Sequence, residues 1–237
     1  MSRLHMLIKD VNEAYESFTF HEVYHRLHNF CIVDMSNFYL DILKDRLYTF
    51  RADSKERRAA QWVLNEILMA MTRLMAPVLS FTADEIWQHI KDTPADSVFL
   101  TDMPVPRTEF IDDKLEARWA KIQSVRDEVN KALELKRSEK FIGNSLEAKI
   151  TVHAQDKELR EMLEGYSADL PTIFIVSQAG VSAEGEGPHK SEDIPGLSIT
   201  VEQAEGEKCA RCWNRRLSVG TIAGAPDICE RCSKAVA

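Results

Sequence analysis

No stretch of this 237-residue chain comes near the roughly 18 consecutive apolar residues that a membrane-spanning helix needs. Its first residues, MSRLHMLIKDV, lack the apolar core of a secretory signal. The expectation is a cytoplasmic protein with no membrane partner. Positive charge is in short supply as well: 30 Lys and Arg stand against 38 Asp and Glu, a formal net charge of -8. No overall basic field announces a nucleic acid, so any such binding must rest on local patches. Cysteine is sparse. Of five, four gather at one end, where a disulfide framework would have spread them through the chain. The chain also has no G-x-S-x-G, no phosphate-binding P-loop and no dinucleotide glycine fingerprint. No Ser/His or Cys/His arrangement has local support, so no catalytic centre is expected.

What is present is a globular composition, 44% hydrophobic and 29% charged, arranged in four segments. Residues 1–108 read as a helical bundle. From Phe20 the apolar positions Val23, Tyr24, Leu27, Phe30, Cys31, Met35, Phe38, Tyr39, Ile42 and Leu43 follow the rhythm of an amphipathic helix. On this reading Cys31 is a small buried hydrophobe. Asp53 and Glu56 are expected to cap the next helix, which should turn Trp62, Val63, Ile67, Leu68, Met71, Leu74 and Met75 inward and be kinked or ended by Pro77. Thr82 and Glu85 are expected to form a capping box on a third helix.

Residues 109–140 read as one long linking helix. Its stripe is Leu115, Trp119, Ile122, Val125, Val129 and Leu133, and its other face, Arg126 and Glu128 included, reads as a solvated charge mixture. Residues 141–205 change period to a small α+β unit. Strands are expected in LEAKITVHA, TIFIVSQAGVSA and LSITVEQA, a short helix in KELREMLEGY, and a plain mobile loop in EGEGPHKSEDIPG. The fold class is therefore mostly α, with a small α+β unit and a stapled C-terminal segment, residues 206–237, too poor in apolar residues to fold on a core of its own.

Two patterns speak of metal. HEVYH at residues 21–25 spells the zinc-protease motif H-E-x-x-H. On a helical wheel, however, His21, His25 and His28 fall within about 60° of one another on a shoulder beside the apolar face. Glu22 points about 100° away from His21, and no third ligand follows at a set distance, so a solvated helix face is the reading. The second pattern is Cys209-x-x-Cys212, sixteen intervening residues, and Cys229-x-x-Cys232. Two C-x-x-C turns can complete a tetrahedron of thiolates, which describes one closed, structural Zn²⁺ site in a four-cysteine zinc ribbon. Around it stand Lys208, Arg211, Trp213, Arg215 and Arg216. A rigid tryptophan flanked by arginines suits stacking on unpaired bases, and the competing reading is that Trp213 packs on its own knuckle.

The chain resembles the C-terminal part of a bacterial isoleucyl-tRNA synthetase over essentially its whole length. The resemblance is carried by EVYHRLHNFCIVDMSNFYLDILKDRLY, LMAPVLSFTADEIWQHI, SVFLTDMP, RSEKFIGNSLEAKI, IFIVSQ and GEKCARCWN followed by CERC. MAPVLSFTADEIW is similar to the anticodon-binding helical domain shared by the isoleucine, valine, leucine and methionine enzymes. The resemblance implies that the bundle contacts the anticodon stem-loop of tRNA(Ile) and that the zinc module closes over the loop. Trp213 and Arg211 would be among its contacts, with Arg215 and Arg216 beside them. It also implies that ATP is used only in a catalytic domain absent here, and that the partners are tRNA and the missing catalytic and editing domains of one monomeric enzyme. HIGH-type and KMSKS-type motifs are absent; DMSN at 34–37 shares only two letters with the latter. The alternatives are a zinc-ribbon protein-interaction module and the same role in a valyl or leucyl enzyme.

Overall fold

The computed structural model describes residues 1–236. The chain divides into two units. The first comprises Met1–Leu47 and Ala52–Glu116, and the second comprises Tyr48–Arg51 and the residues from Ala117 onward.

In the first unit α1 (Ser2–Glu16) is followed by α2 (Phe20–Asn29), which runs without a break into a π-helical stretch, Phe30–Tyr39, and then α3 (Leu40–Thr49), whose last two residues belong to the second unit. α4 (Lys55–Met75) and α5 (Ser80–His89) complete the bundle. Leu4, Leu7, Ile8 and Val11 of α1 pack with Val23, Leu27 and Phe30 and with Ile67, Met71 and Leu74 of α4. Burying a Leu or Ile of this kind contributes about 1.5–3 kcal/mol each. A smaller cluster holds Ala76, Ala83, Trp87 and Val98, with the Trp87 indole N–H donating to the Ala95 carbonyl at 2.8 Å.

Several expectations fail here for identifiable reasons. The π-helical stretch widens the turn, so a 3.6-residue period cannot be carried through it. Cys31 is exposed, not buried, and Ile32 and Val33 are exposed beside it. Tyr24 is 59% exposed and stacks on His28, ring centroids 5.4 Å apart. Trp62 and Leu68 lie outside the Ile67, Ala70, Met71, Leu74 stripe and are also exposed. α4 ends at Met75, before Pro77, as expected, but its cap is Ser54, whose hydroxyl accepts the Arg57 N–H at 3.2 Å. α5 begins at Ser80, so Thr82 lies inside its first turn and caps nothing. Asp84 of that helix instead accepts from Ser97 Oγ (2.6 Å) and the Val98 N–H (3.3 Å), holding the short 3₁₀ turn Val98–Leu100.

In the second unit the long helix α6 (Asp113–Ser138) buries Ile122, Val125, Val129 and Leu133. They join a core with β1 (Ala148–Ala154), α7 (Lys157–Glu164), α8 (Leu170–Ile173) and β4 (Leu197–Gln203), through Ile150, Val152, Leu163, Ile173, Phe174 and Ile199. The sheet order is β2-β1-β4-β3, where β2 is Gln178–Ser182 and β3 is His189–Lys190. β1 runs parallel to β2 and antiparallel to β4. The β1-to-β2 crossover carries the two short helices, as a parallel pair requires.

The region expected to be one strand, TIFIVSQAGVSA, begins as α8 because Pro171 sits in its first turn, where proline favours helix. Ile175 then takes φ 55 and breaks the chain out of helix before β2. The supposed plain loop contains β3, and Gly187 presses on the Ile199 backbone so closely that a Cβ would meet it at 2.3 Å. The face of α6 read as solvated is covered in part. Arg126 is buried and donates from Nε to the Ile173 carbonyl at 2.9 Å. Glu128 is buried against Lys131 (2.6 Å) and His189 (3.3 Å).

Candidate metal centre and nucleic-acid face

After β4, the strand pair β5 (Glu207–Lys208) and β6 (Arg215–Arg216) closes a hairpin around the first C-x-x-C turn. Gly206, at φ 86, opens it. A Cβ there would meet the Arg216 backbone at 2.4 Å, so only glycine fits the approach. Within the turn the Cys209 N–H donates to the Asn214 carbonyl and the Trp213 N–H to the Cys209 carbonyl, each at 2.9 Å. Asn214 Nδ2 donates to the Cys212 carbonyl at 3.1 Å. The second C-x-x-C straddles the start of α9 (Glu230–Val236) and is tied in by the Ala210 N–H to the Asp227 carbonyl at 2.9 Å.

This folding brings Cys209, Cys212, Cys229 and Cys232 together. All four are buried, and their sulfurs lie within 4.8 Å of one another. Cys212 Sγ and Cys229 Sγ are 3.8 Å apart. A tetrahedron with Zn–S bonds of about 2.3 Å has an edge of about 3.8 Å, so the spacing fits that ion. The electrostatics point the same way. Burial alone would raise the Cys209 thiol, but backbone N–H groups of Cys212, Cys229 and Arg211 pull it down. Cys212 and Cys232 are raised, first by burial. Four thiols this close cannot all ionise without a cation between them. Among the described residues this is the only His, Cys, Asp or Glu group close enough to hold a metal. His21, His25 and His28 of HEVYHRLH are exposed on α2, where His25 and His28 lie against the Tyr24 ring, and they form no metal-holding group among the described residues.

The residues expected to face RNA are placed differently from one another. Trp213 is 62% exposed, held by a backbone in the left-handed region at φ 64, and does not pack into its knuckle. The Lys208 ammonium lies 5.8 Å from its ring centroid. Arg216 is half-buried on β6. Arg215, its neighbour, donates its backbone N–H to Ser177 Oγ at 2.7 Å and its guanidinium to the Gly206 carbonyl at 3.3 Å. Arg211 turns inward: its guanidinium donates to the Thr49 carbonyl and approaches Cys232 Sγ at 3.7 Å. Lys208 was visible in the sequence as part of the basic cluster, but its place over the indole was not. The hairpin that creates it depends on pairing across the Gly206 contact.

Residues 1–152 match the family described as the anticodon-binding domain of tRNA ligase. The chain belongs to that family. Residues 206–235 match a second family, a zinc finger found in FPG and IleRS. The chain is 46% identical to an isoleucine–tRNA ligase of Syntrophotalea carbinolica over 232 residues, 98% of this chain and 25% of that protein. Against the isoleucine–tRNA ligase of Moorella thermoacetica it is 44% identical over 242 residues, covering 100% of this chain and 26% of the relative. The enzyme of the same name from Natranaerobius thermophilus is 42% identical over 240 residues, 98% and 26% respectively. The anticodon-binding chain thus spans about a quarter of the length of these relatives.

Proposed function

We propose that this chain recognises the anticodon stem-loop of tRNA(Ile) as the C-terminal part of an isoleucine–tRNA ligase. One structural Zn²⁺ would be held by Cys209, Cys212, Cys229 and Cys232. The observation that carries the reading is the exposed Trp213, on a backbone in the left-handed region, at a four-cysteine knuckle, in a member of the anticodon-binding family. A flat ring offered to solvent beside cations is a stacking platform for unpaired bases. On this reading the bundle of residues 1–108 meets the stem and loop. The helix of 109–140 and the α+β unit of 141–205 link it to the module of 206–237, where Trp213, Arg215 and Arg216 touch the RNA. Arg211, expected beside them from sequence, is engaged with Cys232 inside the module and with the Thr49 carbonyl outside it, and braces the knuckle instead.

The role is positional. Binding energy collected at the anticodon seats a distant acceptor end, so it acts on charging of tRNA and not on amino-acid activation. Use of ATP, activation of isoleucine and editing belong to domains outside this span, and the chain by itself is not an enzyme. It works as a cytoplasmic monomer within that longer protein. The test is a binding titration of the zinc-loaded chain against a panel of tRNAs, with and without a strong chelator. Preference for tRNA(Ile) that is lost with zinc supports the reading, and equal binding to all tRNAs overturns it. Isoleucine-dependent ATP–pyrophosphate exchange by this chain above background would refute the division of labour.

A further inference from the structure

Beside Trp213 lies an open recess of about 350 Å³, lined by Asn144, Ser145, Leu146, Ile175, Lys208 and Trp213. Its far wall is a ledge, the 3₁₀ turn Ser145–Glu147, capped by Asn144. The Asn144 side chain is engaged at both ends of its amide in that cap, accepting from the Leu146 N–H at 2.9 Å and donating to Glu147 Oε1 at 3.0 Å. The floor includes Ile175, a β-branched residue in the left-handed region at φ 55, a conformation that costs free energy and persists only where its surroundings impose it. A single buried serine joins ledge to knuckle: Ser177 Oγ donates to the Leu146 carbonyl at 2.5 Å and accepts the Arg215 N–H at 2.7 Å. The separation of the two turns that carry the ledge and the indole is therefore set by hydrogen bonds before any ligand arrives.

We infer that this recess takes one unpaired base of the RNA loop, stacked against Trp213 with its phosphate on Lys208, and that it selects shape and not base identity. The inference rests on the proposed RNA reading and adds a subsite to it. Lys208 makes no ion pair among the described residues, so its charge over the ring is available to an anion. A base with its own phosphate supplies an aromatic face and that anion together, whereas an apolar protein side chain would leave the ammonium unneutralised. Base identity is read by hydrogen bonds to base edges, and this recess has few groups to make them. Asn144 is occupied within its turn, Leu146 and Ile175 present hydrocarbon, and Ser145 Oγ already accepts from Arg137 at 3.3 Å.

The test uses the zinc-loaded chain and a labelled anticodon stem-loop of tRNA(Ile), followed by fluorescence anisotropy. Ser145→Phe fills the recess from the ledge and leaves the indole and the cysteines in place. It should weaken binding by about 5- to 150-fold, the range of one lost stacking contact. Lys208→Ala should lower the salt slope by about one phosphate contact. In the RNA, one loop position made abasic should reproduce the loss, while exchanging its base for any other should cost only a few-fold. Ile175→Gly removes part of the floor, keeps its backbone conformation without strain, and should weaken binding with no loss of thermal stability. It thus serves if Ser145→Phe folds poorly. Loss of affinity in Trp213→Ala with none in Ser145→Phe or Ile175→Gly would overturn the recess and leave the RNA reading standing. A base exchange as costly as the abasic site would overturn the shape-only claim. A wild-type chain that ignores the stem-loop but binds an aromatic peptide would overturn both.

Discussion

Cys212 Sγ lies 3.8 Å from Cys229 Sγ, although seventeen positions separate the two residues and no disulfide joins them. The core of this module is little more than its four sulfurs with Val219 and Ile228 against them. Metal binding and folding should therefore be one event. A strong chelator should collapse the dispersed amide signals of residues 206–236, while those of the β1–β4 sheet stay in place. Dispersed signals surviving complete zinc removal would contradict this.

Trp87 is 1% exposed, and its one polar atom is satisfied by the Ala95 carbonyl. Trp87→Phe keeps much of the apolar contact but leaves that carbonyl without its donor, a loss of about 1–3 kcal/mol. Trp87→Ala adds a cavity and should cost about 3–5 kcal/mol. Urea denaturation that places the two variants level would show that the hydrogen bond and the ring do not act as described.

Glu128 is buried, and burial alone would raise its carboxyl. Hydrogen bonds from Lys131, Ser191 and His189 instead hold it below the ordinary value of 4.5. A depressed carboxyl contributes stability that is fully present above the unfolded value and is lost as pH falls through the folded one. The stability lost in Glu128→Gln should thus be present above the ordinary carboxyl value of 4.5 and shrink as the pH falls below it. A gap that widens on acidification would reverse the assignment.

Cys31 is exposed, and the other four cysteines are buried. In the zinc-loaded chain one equivalent of an alkylating reagent should be taken up, at Cys31. The reaction should be slow at neutral pH because partial burial raises this thiol. Chelator should release four more. Rapid uptake of five equivalents with zinc bound would rule out this picture.

The mostly helical class, the small sheet and the cysteine cluster were legible because each leaves a local signal. The apolar stripe of α6 holds one period over many turns, β1 and β4 alternate, and C-x-x-C turns aim their own sulfurs. What could not be read depends on contacts distant in sequence. Cys31 left the expected face where the π-helical stretch broke the period, and Tyr24, still within α2, turned outward to stack on His28. Arg126 and Glu128 look like surface charges until Ile173 and His189, from elsewhere in the chain, cover them. Ser54 took the cap that Asp53 was expected to supply, a one-residue difference that backbone geometry decides. The recess beside Trp213 has no local signature, since its two walls come from turns almost seventy residues apart.

The left-handed backbone of Trp213 has a cost of roughly 1–2 kcal/mol for any residue with a Cβ. Glycine would sit there at ease, so Trp213→Gly should raise the melting temperature of the module while its hold on RNA falls. On the proposed RNA reading, selection for robustness and selection for recognition pull this one position in opposite directions. A search for more heat-resistant variants that screens on folding alone should discard the indole early.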